Sequence, residues 1–242
     1  LNFIYFGGDI IIPTIFPGHQ YKTICQLWNN AYRFATVYDT VRRIPVYSAY
    51  TFLEQENTIR SEEWKIEPQV SQCAVDLDYG KSGYDRGHVF PRSYAANQDQ
   101  ANSTFTLTNI APQTQNSNGA WEQQVETPMR TEIKNSCRLD QKHLAYIVTG
   151  AVPGNNWIMI TRGENNYEKG INIPSHFWSA FCCTNNTDIT KLILKAYIAE
   201  LENFNVRTPT IGRLNKRLTE LYGQNFSNHN RPKAANSGQR AN

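Results

Sequence analysis

Within one short stretch, Tyr84-Asp85-Arg86-Gly87-His88, a carboxylate, a guanidinium and an imidazole sit on either side of a single glycine. Downstream follow Thr108-Asn109-Ile110-Ala111-Pro112-Gln113, then Asn118-Gly119-Ala120-Trp121, then Glu126 and Arg130. A neutral imidazole with an ordinary pKa near working pH can take a proton from an attacking water. Guanidinium groups can offer planar donor pairs to phosphate oxygens as charge develops on them. These are parts that phosphodiester hydrolysis needs. An isolated histidine is more often a satisfied structural group, so His88 gains meaning only from its neighbourhood. Eight residues separate Asn118 from Glu126 and four separate Glu126 from Arg130, which places all three towards one side of a helix with some drift. An amide, a carboxylate and a guanidinium along one face suit neither a core nor a merely solvated surface. Trp121 reads as a core aromatic, and Gly87 on its own as a tight turn. His19, His143, His176 and His229 stand in no pattern, and no Ser or Cys occupies a nucleophile motif.

The elements that must hold these groups are partly legible. Residues 21–32 suit a short helix. Residues 34–38 and 44–52, rich in Val, Tyr, Thr and Ile, read as strands around a charged turn at 39–43. A strand over 143–149 is expected to end at Gly150, and further strands are expected over 174–183 and 191–199, the last of which also has helical character. Leu214, Leu218, Leu221 and Tyr222 recur at helical spacing, with Gly223 where such a helix stops. Between residues 75 and 130 long apolar runs are few and Asp, Arg, Asn, Gln and Gly are many, which marks a site rather than a core. From Gln224 onward the chain is polar, and residues 224–242 read as a surface arm or tail after one domain over 1–223.

The chain resembles the DNA/RNA non-specific endonucleases. In that family Asp-Arg-Gly-His is followed by Asn-Ile-x-Pro-Gln, by an Asn five residues after the Gln, by a Glu eight further on and by an Arg four beyond that. Asp85 to His88, Asn109 to Gln113, Asn118, Glu126 and Arg130 meet each step, and Arg60 before Trp64 fits an upstream arginine of the family less specifically. Ile24-Cys25-Gln26, Arg33-Phe34-Ala35-Thr36, Arg43-Ile44-Pro45-Val46-Tyr47-Ser48-Ala49-Tyr50 and Pro174-Ser175-His176-Phe177-Trp178-Ser179-Ala180-Phe181-Cys182-Cys183 extend the likeness to the vertebrate endonuclease-domain-containing 1 branch, over about residues 20–223.

The resemblance implies an α+β fold, with a mainly antiparallel central sheet, flanking helices and a ββα-metal motif. It implies a Mg²⁺-dependent endonuclease acting on DNA and RNA, with Mn²⁺ or another hard divalent ion as a substitute and 5′-phosphate products. His88 is then the general base. Asn118 is the one direct metal ligand through its side-chain oxygen, with water completing the shell. Asp85 and Glu126 hold those waters, Arg60, Arg86 and Arg130 contact phosphate, and Asn109 supports the geometry around His88 and the metal. The rival reading is an idle nucleic-acid-binding or interaction protein on the same scaffold, which loss of His88 or Asn118 would signal. A hydrolase of another kind using His88 lacks a nucleophile motif.

The bulk properties agree. The 242 residues are ample for a buried core, and a net charge of +3 excludes a strongly basic coat protein while permitting a local positive cleft. No run of about 18 apolar residues marks a membrane span. The five cysteines, Cys25, Cys73, Cys137, Cys182 and Cys183, show no zinc spacing. Adjacent Cys182 and Cys183 are expected to take separate partners or leave one thiol unpaired. Sequons at Asn102, Asn185 and Asn225, with the absent initiator Met, predict a processed, secreted glycoprotein with disulfides. In the resembled branch a further Cys precedes the opening segment, so one cysteine here is expected to have its partner upstream.

Overall fold

The structure is a computed structural model, and it describes residues 5–6, 9–10, 13–53, 57–61, 63–80, 82–161 and 167–227. Its frame is an antiparallel sheet of seven strands. In chain order these are β3 (Tyr21–Trp28), β4 (Ala31–Asp39), β5 (Ile44–Phe52), β8 (Ala145–Thr161), β9 (Tyr167–Thr184), β10 (Leu192–Glu200) and β11 (Asn205–Arg207). In space they run β11-β10-β9-β8-β5-β4-β3. Two short strands, β1 (Tyr5–Phe6) and β2 (Asp9–Ile10), pair separately, and so do β6 (Asp85–His88) and β7 (Ile110–Gln113). The helices are α1 (Asp76–Tyr79), α2 (Gln98–Ser103), α3 (Gln115–Trp121), α4 (Thr127–Ser136) and α5 (Ile211–Tyr222). A π-helical segment, Glu122–Glu126, joins α3 to α4 without a break. This is the expected α+β architecture.

Alternation along the strands gives the sheet two apolar faces. On one face Tyr50, Phe52, Ile147, Phe177 and Phe181 pack with Trp121, Val125, Met129 and Ile133 of the α3–α4 helix and with the β6–β7 hairpin. On the other, Tyr47, Ala49, Val148, Trp178 and Ala180 pack with Leu214 and Leu218 of α5. The sheet therefore lies between a layer carrying the polar motif and a layer closed by α5, which ends at Gly223 with φ 66° as its spacing foretold.

Two expectations fail for identifiable reasons. Residues 21–32 form a strand and turn instead of a helix. Asn29 and Asn30 both have positive φ (48° and 57°), and Trp28 pairs with Ala31, so this is a two-residue hairpin turn of a type that asparagine favours. Ile24 and Gln26 alternate inward, as strand pairing requires. The strand begun near residue 145 does not stop at Gly150, which pairs with Tyr47 on one side and Trp178 on the other. A Cβ at Gly150 would sit 2.4 Å from the Val46 carbonyl oxygen, so this glycine permits close packing in mid-strand.

The polar segment after residue 223 also buries more than its composition suggests. Phe226 is 2% exposed and packs on Phe16, Tyr47, Trp178 and Tyr222, while Ser227 exchanges hydrogen bonds with Thr14. The layer around α5 thus extends past 223, and residues 228–242 of the expected tail lie outside the described residues.

Cys183 turns to the α4 face and bonds Cys137 at the C-terminus of that helix, whereas Cys182 points to the opposite face of β9 and takes no part in the bond. The bond closes a loop 46 residues in sequence separation. In the chain-entropy picture such closure contributes about 2–4 kcal/mol. Reduction, or Cys137→Ser, is expected to lower the urea midpoint by a matching amount. Identical midpoints for oxidised and reduced protein would show that the bond does not stabilise the fold.

Candidate active site

The hairpin carries the motif in a fixed register, with Asp85 opposite Gln113, Arg86 opposite Pro112, Gly87 opposite Ala111 and His88 opposite Ile110. A Cβ on Gly87 would fall 2.1 Å from Gln113 Oε1 and 2.8 Å from its Cδ. Glycine is therefore needed for the Gln113 side chain to lie across the strand. Asn109, at the foot of β7, is wholly buried. Its Oδ1 accepts from Ser48 Oγ (2.9 Å) and the Phe90 N–H (3.0 Å), and its Nδ2 donates to the carbonyls of Phe90 and Thr104 (both 3.0 Å). These bonds use the amide completely, so Asn109 holds the backbone just beyond His88 and is not placed to touch a substrate.

His88 stands among aromatic rings, 5.2 Å from Trp64 and 5.0 Å from Phe105 between centroids. Its Nε2 is buried and has no hydrogen-bond partner, although the residue as a whole is only half-buried. Burial, then Arg60 and Arg92, pull its pKa down to about 3, so the ring is neutral at any working pH. Arg92 is anchored by Nη1 to the Thr58 carbonyl at 2.8 Å. Arg86 lies over the rings of Trp64 and Tyr79, at 5.7 and 5.4 Å, and pairs with Asp76 at 2.6 Å. Trp64, next to both His88 and Arg86, walls this side of the motif.

The helix half meets the strand half at Asn118, whose Nδ2 donates to Asp85 Oδ2 at 3.1 Å. The amide nitrogen faces Asp85, so Oδ1 is turned away from it. Asn116 is exposed and has no such contact. Uniform α-helical geometry would leave Glu126 about 80° around the axis from Asn118. The wider i→i+5 turns of the π segment rotate less per residue and bring Glu126 back towards that face. A short 3-10 turn, Arg92–Tyr94, then joins the halves: Arg92 acts on His88, the Ser93 carbonyl accepts from Arg130 Nη1 (3.2 Å), and Tyr94 donates its hydroxyl to the Glu126 carbonyl (2.6 Å).

Burial, and next the Glu122 carboxylate, raise the Glu126 pKa to about 8 against the pull of Trp121 and Arg130. Trp121 Nε1 approaches Glu126 without reaching normal hydrogen-bond geometry. Among the described residues, six buried side-chain polar atoms lack a partner, and they belong to Tyr79, Arg86, His88, Gln113 and Trp121. All five residues are in the motif or against it. Folded proteins rarely tolerate such atoms away from functional sites.

The oxygens of Asn118 and Asp85, whose side chains meet, are hard donors without a thiolate between them. No group of three or more His, Cys, Asp or Glu suited to enclosing an ion occurs among the described residues. That donor set fits a cation held by one or two protein oxygens with water around the rest, the habit of Mg²⁺, better than the enclosed shell of structural zinc.

Arg86 and His88 thus meet at Trp64, Arg60 acts on His88, Asp85 joins Asn118, and Arg130 acts on Glu126, while Asn109 stays behind the hairpin. Sequence reasoning missed Asp76, Tyr79 and Arg92, which engage the motif from segments without any signature. Trp64 was noticed only as context for Arg60.

A hairpin bearing Asp-Arg-Gly-His beneath a helix that offers it an asparagine is the ββα-metal nuclease arrangement. Residues 17–225 match the model of the DNA/RNA non-specific endonucleases, a divalent-metal-dependent class acting on nucleic acid, and the chain belongs to that family. It is 30% identical over 206 residues to the human endonuclease domain-containing 1 protein, covering 75% of this chain and 38% of that one. The mouse protein of the same name is 29% identical over 184 residues, covering 66% and 34%. The chain thus spans little more than a third of the length of these curated relatives. A chain in the crystal structure of the EndoG/EndoGI complex shares the fold, with a TM-score of 0.61 over 86% of both chains at 19% identity.

The Glu126 environment has a measurable consequence. A carboxyl raised from 4.5 to about 8 keeps its proton in the folded state after the unfolded chain has lost it. Stability in cation-free buffer therefore falls as pH rises through that window. Thermal unfolding is expected to show this decline and Glu126→Gln to flatten it. A wild-type profile as flat as the variant's would contradict the raised pKa.

Proposed function

We propose that the chain is a Mg²⁺-dependent endonuclease that hydrolyses DNA and RNA with little sequence preference and leaves 5′-phosphate ends. The observation that carries this reading is the neutral, unpartnered His88 Nε2 beside Arg60 and Arg92, on the strand whose Asp85 fixes Asn118. Burial and the two guanidinium groups keep His88 unprotonated in the free protein. A phosphodiester brings negative charge that offsets those arginines, raising the basicity of His88 when substrate is present. The His88 ring takes a proton from water as the water oxygen bonds to phosphorus. The bond to the 3′ oxygen breaks, and that oxygen takes a proton from solvent. Arg60, Arg86 and Arg130 face the charge that develops on the phosphate.

Asn118 Oδ1, with Asp85 and Glu126 nearby, would hold the divalent ion. When bound, the ion supplies positive charge to the phosphate and to the departing oxygen. Mn²⁺ suits the same oxygen donors. These groups address phosphate and not base edges, which accounts for weak sequence preference. We also propose an extracellular location, supported by the Cys137–Cys183 bond and the three sequons. At Asn185 the side-chain oxygen takes the local hydrogen bonds, and among the described residues the amide nitrogen, where a glycan would attach, donates none.

Plasmid nicking with Mg²⁺ and with EDTA tests the activity, and only the first is expected to cut. His88→Ala should lower turnover by about 10²–10⁴ with DNA binding and melting temperature nearly unchanged. Asn118→Ala should raise the Mg²⁺ concentration required and depress the maximal rate. Near-normal cutting by the His88 variant would remove His88 as the base. Intact mass before and after glycosidase treatment of protein from its native source tests the location, and bare Asn102, Asn185 and Asn225 would count against secretion.

A further inference from the structure

One sizeable cavity lies apart from His88. A groove of about 510 Å³ starts at the other side of the hairpin, where Tyr84, Gln113 and Thr114 line it. It passes Asn155 and Asn156 and reaches His176 and Glu200. The same His176 and Glu200 also line a second pocket of about 230 Å³, which therefore adjoins the first. Arg207 of β11 and Arg213 and Arg217 of α5 wall that second pocket.

The groove is built by the fold. The β8–β9 ladder shifts register at Val152/Pro153 and again at Pro153/Trp157. Proline offers no N–H to a ladder, so the strand bulges there. Asn172, wholly buried, fixes the bulge by accepting from the Gly154 N–H and donating to the Gly154 and Asn156 carbonyls. The exposed Asn155 and Asn156 are thereby held at the groove wall.

Among the described residues the charge in the far pocket is hardly paired. Arg207 and Arg213 have no ion pair or side-chain hydrogen bond among the described residues. Among the described residues Arg217 pairs with Glu220, at 3.3 Å and with both side chains 51% exposed, a contact of little worth. Arg213 and Arg217 stand four apart on one helix face, where like charges repel. Against three guanidinium groups the pocket sets one carboxylate, Glu200. The potential is felt locally, because burial, and then Arg217 and Arg207, lower the His176 pKa while Glu200 opposes them.

We propose that Arg207, Arg213 and Arg217 form a second phosphate-binding site, which grips the nucleic-acid backbone away from the scissile bond at the end of a groove leading from the β6–β7 hairpin. This inference rests on the nuclease reading. Guanidinium forks match phosphate oxygens, and neutral asparagine amides along the groove suit further backbone contacts. A strand lying there gives affinity for long substrates without reading sequence, and it contributes nothing to a fragment too short to reach it.

The test compares wild type with an Arg207→Gln/Arg213→Gln/Arg217→Gln variant in EDTA, where cutting is blocked. Binding of a thirty-base-pair duplex and of a hexanucleotide is followed as KCl is raised. The slope of log affinity against log salt should fall by about 2–3 on the duplex, since each phosphate contact contributes about 0.9. It should not change on the hexanucleotide, and with Mg²⁺ the turnover of the hexanucleotide should match wild type. Arg213→Gln alone, at an exposed helix position, should lower the duplex slope by about 1 and serves if the triple variant unfolds. An unchanged duplex slope in a folded variant would overturn the site, and would do so equally if the pocket instead held an acidic peptide. Duplex binding by wild type without any cutting in Mg²⁺ would sink the nuclease reading and leave this site standing.

Discussion

The position of His88 depends on the side chain of Asn109. One amide both donates to and accepts from the Phe90 backbone, imitating a neighbouring strand at a point where β6 has none. The Asn109 backbone carbonyl takes the Val89 N–H, and Ser48 on central strand β5 donates to its side-chain oxygen. Ser48 is in turn within 2.8 Å of Thr36 Oγ1 on β4. A chain of buried hydrogen bonds thus runs from the middle of the seven-stranded sheet to the residues just after His88. The two-stranded hairpin is too small to be stable alone. Its geometry is borrowed from the sheet, and the loan is made through polar groups with no solvent to replace them.

The other half of the site depends on a helix that is deliberately irregular. Asn118 must meet Asp85 while Trp121, Val125, Met129 and Ile133 fill the core beneath. A uniform helix over twenty residues would let the polar face wind away from the hairpin. The π segment resets the phase, and the 3-10 turn at 92–94 fastens Glu126 and Arg130 to the strand side. At its far end the helix is tied to β9 through Cys137 and Cys183. The helix is therefore fixed at both ends, against a sheet whose β8–β9 ladder shifts register around Pro153 and again at Ile158/Met159.

Much of this was legible in the sequence because the chemistry is local. Asp85, Arg86 and His88 are consecutive or nearly so, and the pattern of the resembled family pointed to Asn118, which is the asparagine that meets Asp85. Strands with alternating Val, Tyr and Ile at 44–52, and the helix capped by Gly223, follow from local periodicity. What failed was decided by tertiary partners. The apolar spacing of residues 21–32 fits either a helix or a strand, and the deciding signal was the Asn29-Asn30 turn. The approach of Asp76, Tyr79 and Arg92 to the motif depends on how separate segments dock, for which no spacing rule exists. Phe226 looked like a lone aromatic in a polar tail, and only the cleft between α5 and the sheet shows why it is buried. The phase of Glu126 was judged with α-helical arithmetic, which a π segment quietly changes.

The gathering of unpartnered polar atoms on Tyr79, Arg86, His88, Gln113 and Trp121 sets two selective pressures against each other. Each such atom weakens the fold, so apolar replacements of similar shape at these positions would tend to make a sturdier molecule. Random drift under selection for thermal robustness alone would erode this region first and spare the α5 face. The motif survives in the chain as a standing debt of the fold, which makes its retention a sign of a use outside folding. A laboratory search for hardier variants of this protein would need to score activity at every round, because the easiest gains in stability lie where the chemistry does.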